Sequence, residues 1–365
     1  MSTGGLGGAG GVSHGNHSPE RVQSDDPETK EGSTGARKVE VADTGKKLPD
    51  KGGLAKRKGR GLRLGGSPSS SPGNSPEVQG RTVQVPPSES AELKKIPDTS
   101  HKLWEQLESR KPTQVKCTEG EKTAYKFKQT EIVAPTAVRL SRDENKLTPY
   151  NQITLGGQKV GIAARGPTAG NNQERATFMT AAVENGCKAI VNIATSLEGV
   201  SDYIPRNNQA AQYNSVTVTT IDEPFFYGPK VRSEIEVKLW EEDKGTSLKY
   251  FLKGDIGNRK AGDPKELVDL ARELPEGPVI VHCKMGIGRT AMFMLVRALV
   301  NDTTLTKENL VQTVFNMVQD GRQCRGEFLE NEAQLDSVLK AGAILLGMPE
   351  EELYQKVDQY LASST

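Results

Sequence analysis

The chain has 365 residues, with 48 Lys and Arg against 47 Asp and Glu, giving a formal net charge of +1. So even a balance gives no global reason to expect nucleic-acid or anionic-surface binding, and no stretch is apolar for long enough to span a bilayer. The four cysteines (Cys117, Cys187, Cys283, Cys324) and four histidines are widely scattered, which argues against a zinc site and a disulfide framework; no cofactor is expected.

No Phe, Trp or Tyr occurs before Trp104, and Gly, Ser, Pro and charged residues dominate the first hundred positions. Such a segment cannot bury enough apolar surface to offset its chain entropy. Residues 1–97 are therefore expected to be a disordered leader, and 98–365 the folded domain. Within the leader, Lys56-Arg57-Lys58-Gly59-Arg60 with Arg63 reads as a solvated basic run, and the Ser-Pro repeats over 67–76 read as a linker. The N-terminus lacks a charged start followed by an apolar run, so no cleavable export signal is expected.

Asp98-Thr99-Ser100 ahead of Leu103, Trp104 and Leu107 predicts a capped opening helix. Residues 152–155 and 160–163 flank Gly156-Gly157 as a hairpin. Phe178, Met179, Ala182 and Val183 fall at helical spacing within 174–184, and 188–194 follows as a buried strand. Further strands are predicted over 216–219, 235–239 and 248–252. Asp263-Pro264 with Glu266 predicts a capping box that opens a helix bearing Leu267, Leu270, Ala271 and Leu274. Pro278-Val279-Ile280-Val281 reads as a short buried strand, and 291–296 as the apolar body of a helix. The later chain reads as mostly helical, with Thr306 as a cap, Val311, Val314 and Val318 as an inner face, and Gly321 as a stop. Together these elements predict an α/β domain whose mixed, twisted sheet is flanked by helices.

Between the last strand and its helix stands His282-Cys283-Lys284-Met285-Gly286-Ile287-Gly288-Arg289-Thr290. A thiol and a guanidinium thus sit at the two ends of a short loop that leads into a helix N-terminus. Unpaired N–H groups and the positive end of the helix dipole favour an anion there. Gly286 and Gly288 let successive N–H groups converge into a nest, and Arg289 adds a planar fork for two phosphoryl oxygens. The same field favours the nucleophilic thiolate of Cys283, which needs a reducing place of work such as cytosol. A chance match of the fixed positions arises about once in ten million sites.

This string resembles the signature loop of the cysteine-dependent protein tyrosine phosphatases. The resemblance implies that Cys283 is the nucleophile, Arg289 binds the phosphoryl group, and Thr290 hydrogen-bonds the departing sulfur. It also implies that His282 orders the loop and helps keep the thiol ionised, while Lys284, Met285, Gly286, Ile287 and Gly288 surround the phosphate. The likeness extends over roughly 145–345. Pro149-Tyr150-Asn151, Ile162-Ala163-Ala164-Arg165-Gly166-Pro167 and Phe178 follow the family's order, and 191–198 resembles the strand and loop whose closing glutamate, here Glu198, pairs with the signature arginine. Short loops and a long leader are most similar to the type III secreted tyrosine phosphatases of pathogenic bacteria. That subgroup implies delivery without a cleavable signal, a secretion chaperone on the N-terminal region, and phosphotyrosine proteins of a host cytosol as substrates, with no metal.

A phosphocysteine mechanism needs a general acid, because a phenoxide leaves badly at neutral pH. Asp263 is assigned to helix capping. Asp255 lies in Lys253-Gly254-Asp255-Ile256-Gly257-Asn258, after a strand and in a glycine-flanked loop, where it resembles the aspartate of the family's mobile Trp-Pro-Asp loop. Lys253-Gly254 replaces Trp-Pro, a departure at the hinge. Residues 322–335 resemble the family's glutamine loop, with Gln334 as the candidate for water placement and Glu330 where the first glutamine is usual. Glu144 occupies the place of the family's ring-gripping tyrosine. An inositol-phosphate or phosphoinositide phosphatase on the same fold therefore stays open, favoured by Lys284, Lys253, Arg259 and Lys260. A non-catalytic phosphotyrosine-binding module is the third reading.

Overall fold

The computed structural model describes residues 97–113, 133–141, 143–200, 203–205, 208–222, 225–227, 230–240 and 244–364, with backbone alone at 143–147 and 225–227. The expected disordered leader, its basic cluster and its Ser-Pro run lie outside the described residues, apart from Pro97; so do Cys117 and the side chain of Glu144.

Among the described residues ten strands form one sheet: β1 (Ala137–Leu140), β2 (Asp143–Leu155), β3 (Gln158–Arg165), β4 (Ala189–Asn192), β5 (Ala210–Tyr213), β6 (Val216–Thr220), β7 (Phe225–Tyr227), β8 (Lys230–Leu239), β9 (Thr246–Lys253) and β10 (Val279–Cys283). Their order is β1-β2-β3-β10-β4-β9-β8-β6-β5, with β7 added on β8. The four central strands run parallel, and the pairs outside them are antiparallel. Among the described residues seven α-helices accompany the sheet: α1 (Asp98–Ser109), α2 (Asn172–Glu184), α3 (Pro264–Glu273), α4 (Gly288–Asn301), α5 (Leu310–Cys324), α6 (Glu332–Leu345) and α7 (Glu350–Ser363). This is the α/β architecture with a mixed sheet that the sequence predicts.

Strand geometry explains the two cores, since successive side chains leave a strand on opposite faces. Val279 and Val281 of β10 enter the larger core, built with α1 and α3 to α7. Ile280 between them enters the other, built with Phe178, Met179 and Ala182 of α2. Val191 and Ile190 of β4 divide in the same way. Both faces of the central strands are covered, which is why they read as unbroken apolar runs. Helix α4 is buried from Gly288 to Leu299 and packs on β3, β10, α3, α5 and α6, which is why its body from Ala291 to Val296 is an unbroken apolar run. Cys283 consequently leaves the carboxyl end of a central parallel strand, where crevices of open α/β sheets take ligands.

The hairpin between β2 and β3 turns at Gly156 and Gly157, whose φ values of 55° and 77° suit a tight two-residue turn. Three local expectations need correction. Helix α1 begins at Asp98 without a side-chain cap, and Ser100 instead donates across the core to Asp336 at 2.8 Å. At α3, Asp263 caps Glu266 N at 2.9 Å, but the Glu266 carboxylate turns to Lys230 and Lys253 rather than closing a reciprocal box. Gly321 does not stop α5, which continues to Cys324. A Cβ on Gly321 would collide with the Phe328 ring, so the glycine makes room for packing. Thr306 pairs reciprocally with Asn309 one turn before α5, with Thr306 N to Asn309 Oδ1 at 2.8 Å.

Candidate active site

Residues 284–287 bridge β10 and α4, and the ends of that bridge are fixed by the fold. Gly286 adopts φ 71°, and a Cβ there would overlap the Ala164 carbonyl at the end of β3. Only glycine satisfies both demands. In this conformation Gly286 N–H donates to Cys283 Sγ at 3.3 Å. Gly288, predicted to share the curling role, has no positive φ; its place is crowded by Glu330 and Gln334.

The loop carbonyls are held from behind by Arg325, which is fully buried. Its Nε donates to Gly286 O at 2.7 Å, its Nη2 to Met285 O at 3.1 Å, and its Nη1 to Asn151 Oδ1 at 2.7 Å and Pro149 O at 3.2 Å. With the Met285 carbonyl turned toward Arg325, the planar peptide turns the Gly286 N–H the other way, toward the sulfur. Burial pulls the Arg325 guanidinium down to about 10, still charged at neutral pH. Sequence reasoning passed over Arg325 and the partner role of Asn151. The available signal was a pair of arginines, Arg322 and Arg325, around a cysteine at the end of an apolar helix face.

Arg289 is 2% exposed. Its Nη1 and Nη2 each meet one Glu198 oxygen at 2.7 Å, a bidentate fork. Further bonds run from Nη1 to Ile193 O at 3.1 Å and Ile256 O at 2.9 Å, and from Nη2 to Asn258 Oδ1 at 3.4 Å. Burial alone raises the Glu198 carboxyl, but the Arg289 and Thr195 hydrogen bonds outweigh it and hold the group below its usual value. For Arg289, burial lowers and Glu198 raises; the net shift is upward. The guanidinium is thus fixed as a cation beside the sulfur.

His282 sits beneath the loop in an aromatic nest. Its ring is 5.2 Å from Phe178 and 5.4 Å from Tyr203, centroid to centroid. Nδ1 donates to Cys283 O at 3.2 Å, and Nε2 accepts from the Tyr203 hydroxyl. Complete burial holds the imidazole down to about 3, so it orders the loop as a neutral ring and lends the sulfur no charge. The linkage sign follows. The unfolded imidazole, with its value of 6.5, takes a proton that the folded one refuses, so this group removes stability as pH falls from 6.5 toward 3. The slope is about 1.4 kcal/mol per pH unit. Urea unfolding at pH 6.5 and pH 5.0 is expected to show wild type losing about 2 kcal/mol more than His282→Gln; equal losses in both proteins would contradict a neutral His282.

Lys284, Met285, Ile287, Gly288, Cys283 and Arg289 line a cavity of about 820 Å³. Asn258 and Arg259 from the loop after β9, and Glu327, Glu330 and Asn331 from the loop after α5, complete its wall. Sequence reasoning had not assigned Asn258, Glu327 or Asn331 to the site. Lys284 is exposed. Thr290 is buried, and its Oγ1 has no hydrogen-bond partner among the described residues. Gln334 is also buried; its Oε1 accepts from Glu330 N at 3.0 Å.

The two wall loops are joined. Arg259 Nε donates to Glu330 Oε1 at 2.8 Å, and Asn331 Nδ2 donates to Arg259 O at 3.0 Å. Arg259, Glu327 and Leu329 all have left-handed φ between 59° and 70°, at a cost of about 1 kcal/mol or more each. Asp255 is not part of the wall. Lys253 Nζ lies 2.8 Å from both its oxygens and 2.5 Å from Glu266. Among the described residues, Cys187 is pushed up to about 12 by burial and Cys324 is raised by the same cause, so Cys283 alone combines a thiol with the cavity.

No group of His, Cys, Asp and Glu suited to hold a metal ion occurs among the described residues, and no described helix is long and apolar enough to cross a membrane. The protein-tyrosine phosphatase family model matches residues 126–343. The chain is 35% identical over 77 residues to the tyrosine-protein phosphatase non-receptor type ptp-2 of Caenorhabditis elegans, covering 21% of this chain and 12% of that protein. It is 26% identical over 186 residues to the mouse receptor-type tyrosine-protein phosphatase eta, covering 47% of this chain and 14% of that protein. The matched regions are thus a small share of these curated relatives' length. Because the family model spans more than half of the chain and runs through the loop that joins Cys283 to Arg289, the chain belongs to the protein-tyrosine phosphatase family.

Proposed function

We propose that the protein hydrolyses phosphotyrosine in proteins through a phosphocysteine intermediate. The observation that carries this reading is the cavity floor: Cys283 Sγ under the Gly286 N–H, beside an Arg289 fork locked by Glu198. Cys283 attacks phosphorus in line. Arg289 and the loop N–H groups hold the equatorial oxygens as charge shifts onto them. Asp255 protonates the leaving phenolate after the loop following β9 carries it from Lys253 to the cavity, and water then cleaves the phosphorus–sulfur bond. Thr290 Oγ1, buried and unpartnered, is available to donate to the departing sulfur.

The finer assignment is a bacterial effector delivered by type III secretion, with a chaperone on the N-terminal region and host phosphoproteins as substrates. Its support is the leader without aromatic residues. An inositol-phosphate phosphatase is the second reading, favoured by Lys284 and Arg259 in the cavity wall. Lys253 does not add to it, being buried and engaged with Asp255 and Glu266.

Turnover of a phosphotyrosyl peptide and of inositol hexakisphosphate, measured side by side, separates these readings. The peptide is expected to be the better substrate by kcat/KM. Faster turnover of the inositol would establish the second reading, and binding of the peptide without turnover would establish a binding module.

A further inference from the structure

Lys253 closes β9 with a side chain only 3% exposed. Antiparallel pairing sets it directly opposite Lys230 of β8. Facing like charges repel, and a buried ammonium is tolerated only with a partner. Glu266 in the first turn of α3 meets both demands. Its Oε1 accepts from Lys230 Nζ at 2.8 Å and its Oε2 from Lys253 Nζ at 2.5 Å. Hydrogen bonds from Lys230 and Lys253 hold the Glu266 carboxyl down to about 2, so it is ionised at neutral pH. Asp255 is the second carboxylate on Lys253, with both oxygens at 2.8 Å. The next cation along β8, Arg232, is taken by Glu273 of α3 at 2.7 Å.

Two ammonium groups are thus balanced by two carboxylates that differ in their freedom to move. Glu266 belongs to a helix whose Leu267, Val268, Leu270 and Ala271 are sunk in the larger core, and Asp263 caps its backbone N–H at 2.9 Å. Asp255 lies on the loop whose Asn258 and Arg259 reach the cavity wall. We propose that Lys253 and Glu266 are positioning residues for the acid step: Lys253 holds Asp255 in the resting enzyme, and Glu266 keeps Lys253 paired when Asp255 leaves for the cavity. The proposal rests on the assignment of Asp255 as general acid above. Departure of Asp255 breaks its bonds to Lys253 but leaves the Glu266 bond in place, so no buried ammonium is stranded. Without the Glu266 charge the same movement strands Lys253, and Asp255 stays where it is. A Trp, which the resemblance places at position 253, carries no charge to pair with either carboxylate, so this hold belongs to the lysine.

Steady-state kinetics of the full chain with phenyl phosphate and p-nitrophenyl phosphate reads the effect, because phenolate needs a proton to leave and nitrophenolate needs it much less. kcat/KM covers the steps through departure of the phenol. Glu266→Gln keeps the size of the side chain and removes its charge. It is expected to lower kcat/KM for phenyl phosphate about tenfold or more, and for p-nitrophenyl phosphate less than about threefold. Lys253→Met, which keeps the stem and removes the ammonium, is expected to raise kcat/KM for phenyl phosphate. Adding Glu266→Gln to it should change that value less than about threefold, because no buried cation is left to strand. The proposal is overturned if Glu266→Gln lowers both substrates equally or leaves phenyl phosphate within about threefold of wild type. It is also overturned if Lys253→Met fails to raise phenyl phosphate turnover, or if the double variant repeats the full loss of Glu266→Gln. Failure of the acid assignment itself would appear separately, as Asp255→Asn with kcat/KM for phenyl phosphate unchanged.

Discussion

Cys283→Ser is expected to abolish turnover while leaving phosphotyrosyl ligand bound. A serine hydroxyl is not ionised at neutral pH, so the in-line attack is lost. What holds phosphate is untouched: Arg289 stays locked on Glu198, and Arg325 still pins the carbonyls of Met285 and Gly286. The variant should therefore act as a trap, with peptide Kd by fluorescence anisotropy within about threefold of the Michaelis-complex affinity of wild type. Residual hydrolysis within about tenfold of wild type would remove Cys283 from the mechanism.

Asp255→Asn is expected to lower kcat by about 10²–10⁴-fold, the usual scale of general acid catalysis, and to flatten the alkaline limb of the pH–rate profile. Lys253 holds Asp255 away from the cavity wall, so the proposed acid role requires loop movement. That movement would break or shift the Arg289 bonds to Ile256 O and Asn258. Phosphate binding supplies the competing partner for Arg289. Asp263→Asn should change rate and stability little, since Asn caps α3 as well as Asp does. If the two variants exchanged these phenotypes, the loop after β9 would not be the acid loop.

Cys283, Arg289 and the turn at Gly286 were legible because they are contiguous, and the strand before them and helix after them are clear apolar runs. Glu198 is 91 residues from Arg289 in the chain and was reached through family resemblance rather than spacing. Arg325 and Asn151, 174 residues apart, were missed because nothing local marks a contact that only the packing of α5 on β2 creates. His282 was reached through family resemblance as a residue that orders the loop and helps keep the thiol ionised; its burial beneath Phe178 and Tyr203 holds its ring neutral. Gly321 shows the ambiguity of a single letter: a helix stop and a close-packing site both call for glycine, and only Phe328 decides between them. The short strands β1 and β5 carry few buried residues, so their pattern gave no period to detect.

The central claim is that phosphate passes through the sulfur of Cys283. Wild-type protein mixed with phosphotyrosyl peptide, quenched in acid within the first turnover and mapped by peptide mass spectrometry, tests it directly. The account predicts phosphate on the fragment bearing residues 282–290, attached at Cys283 and absent in Cys283→Ser. Phosphotyrosine hydrolysis that proceeds with no phosphate on Cys283 at any time point would contradict it.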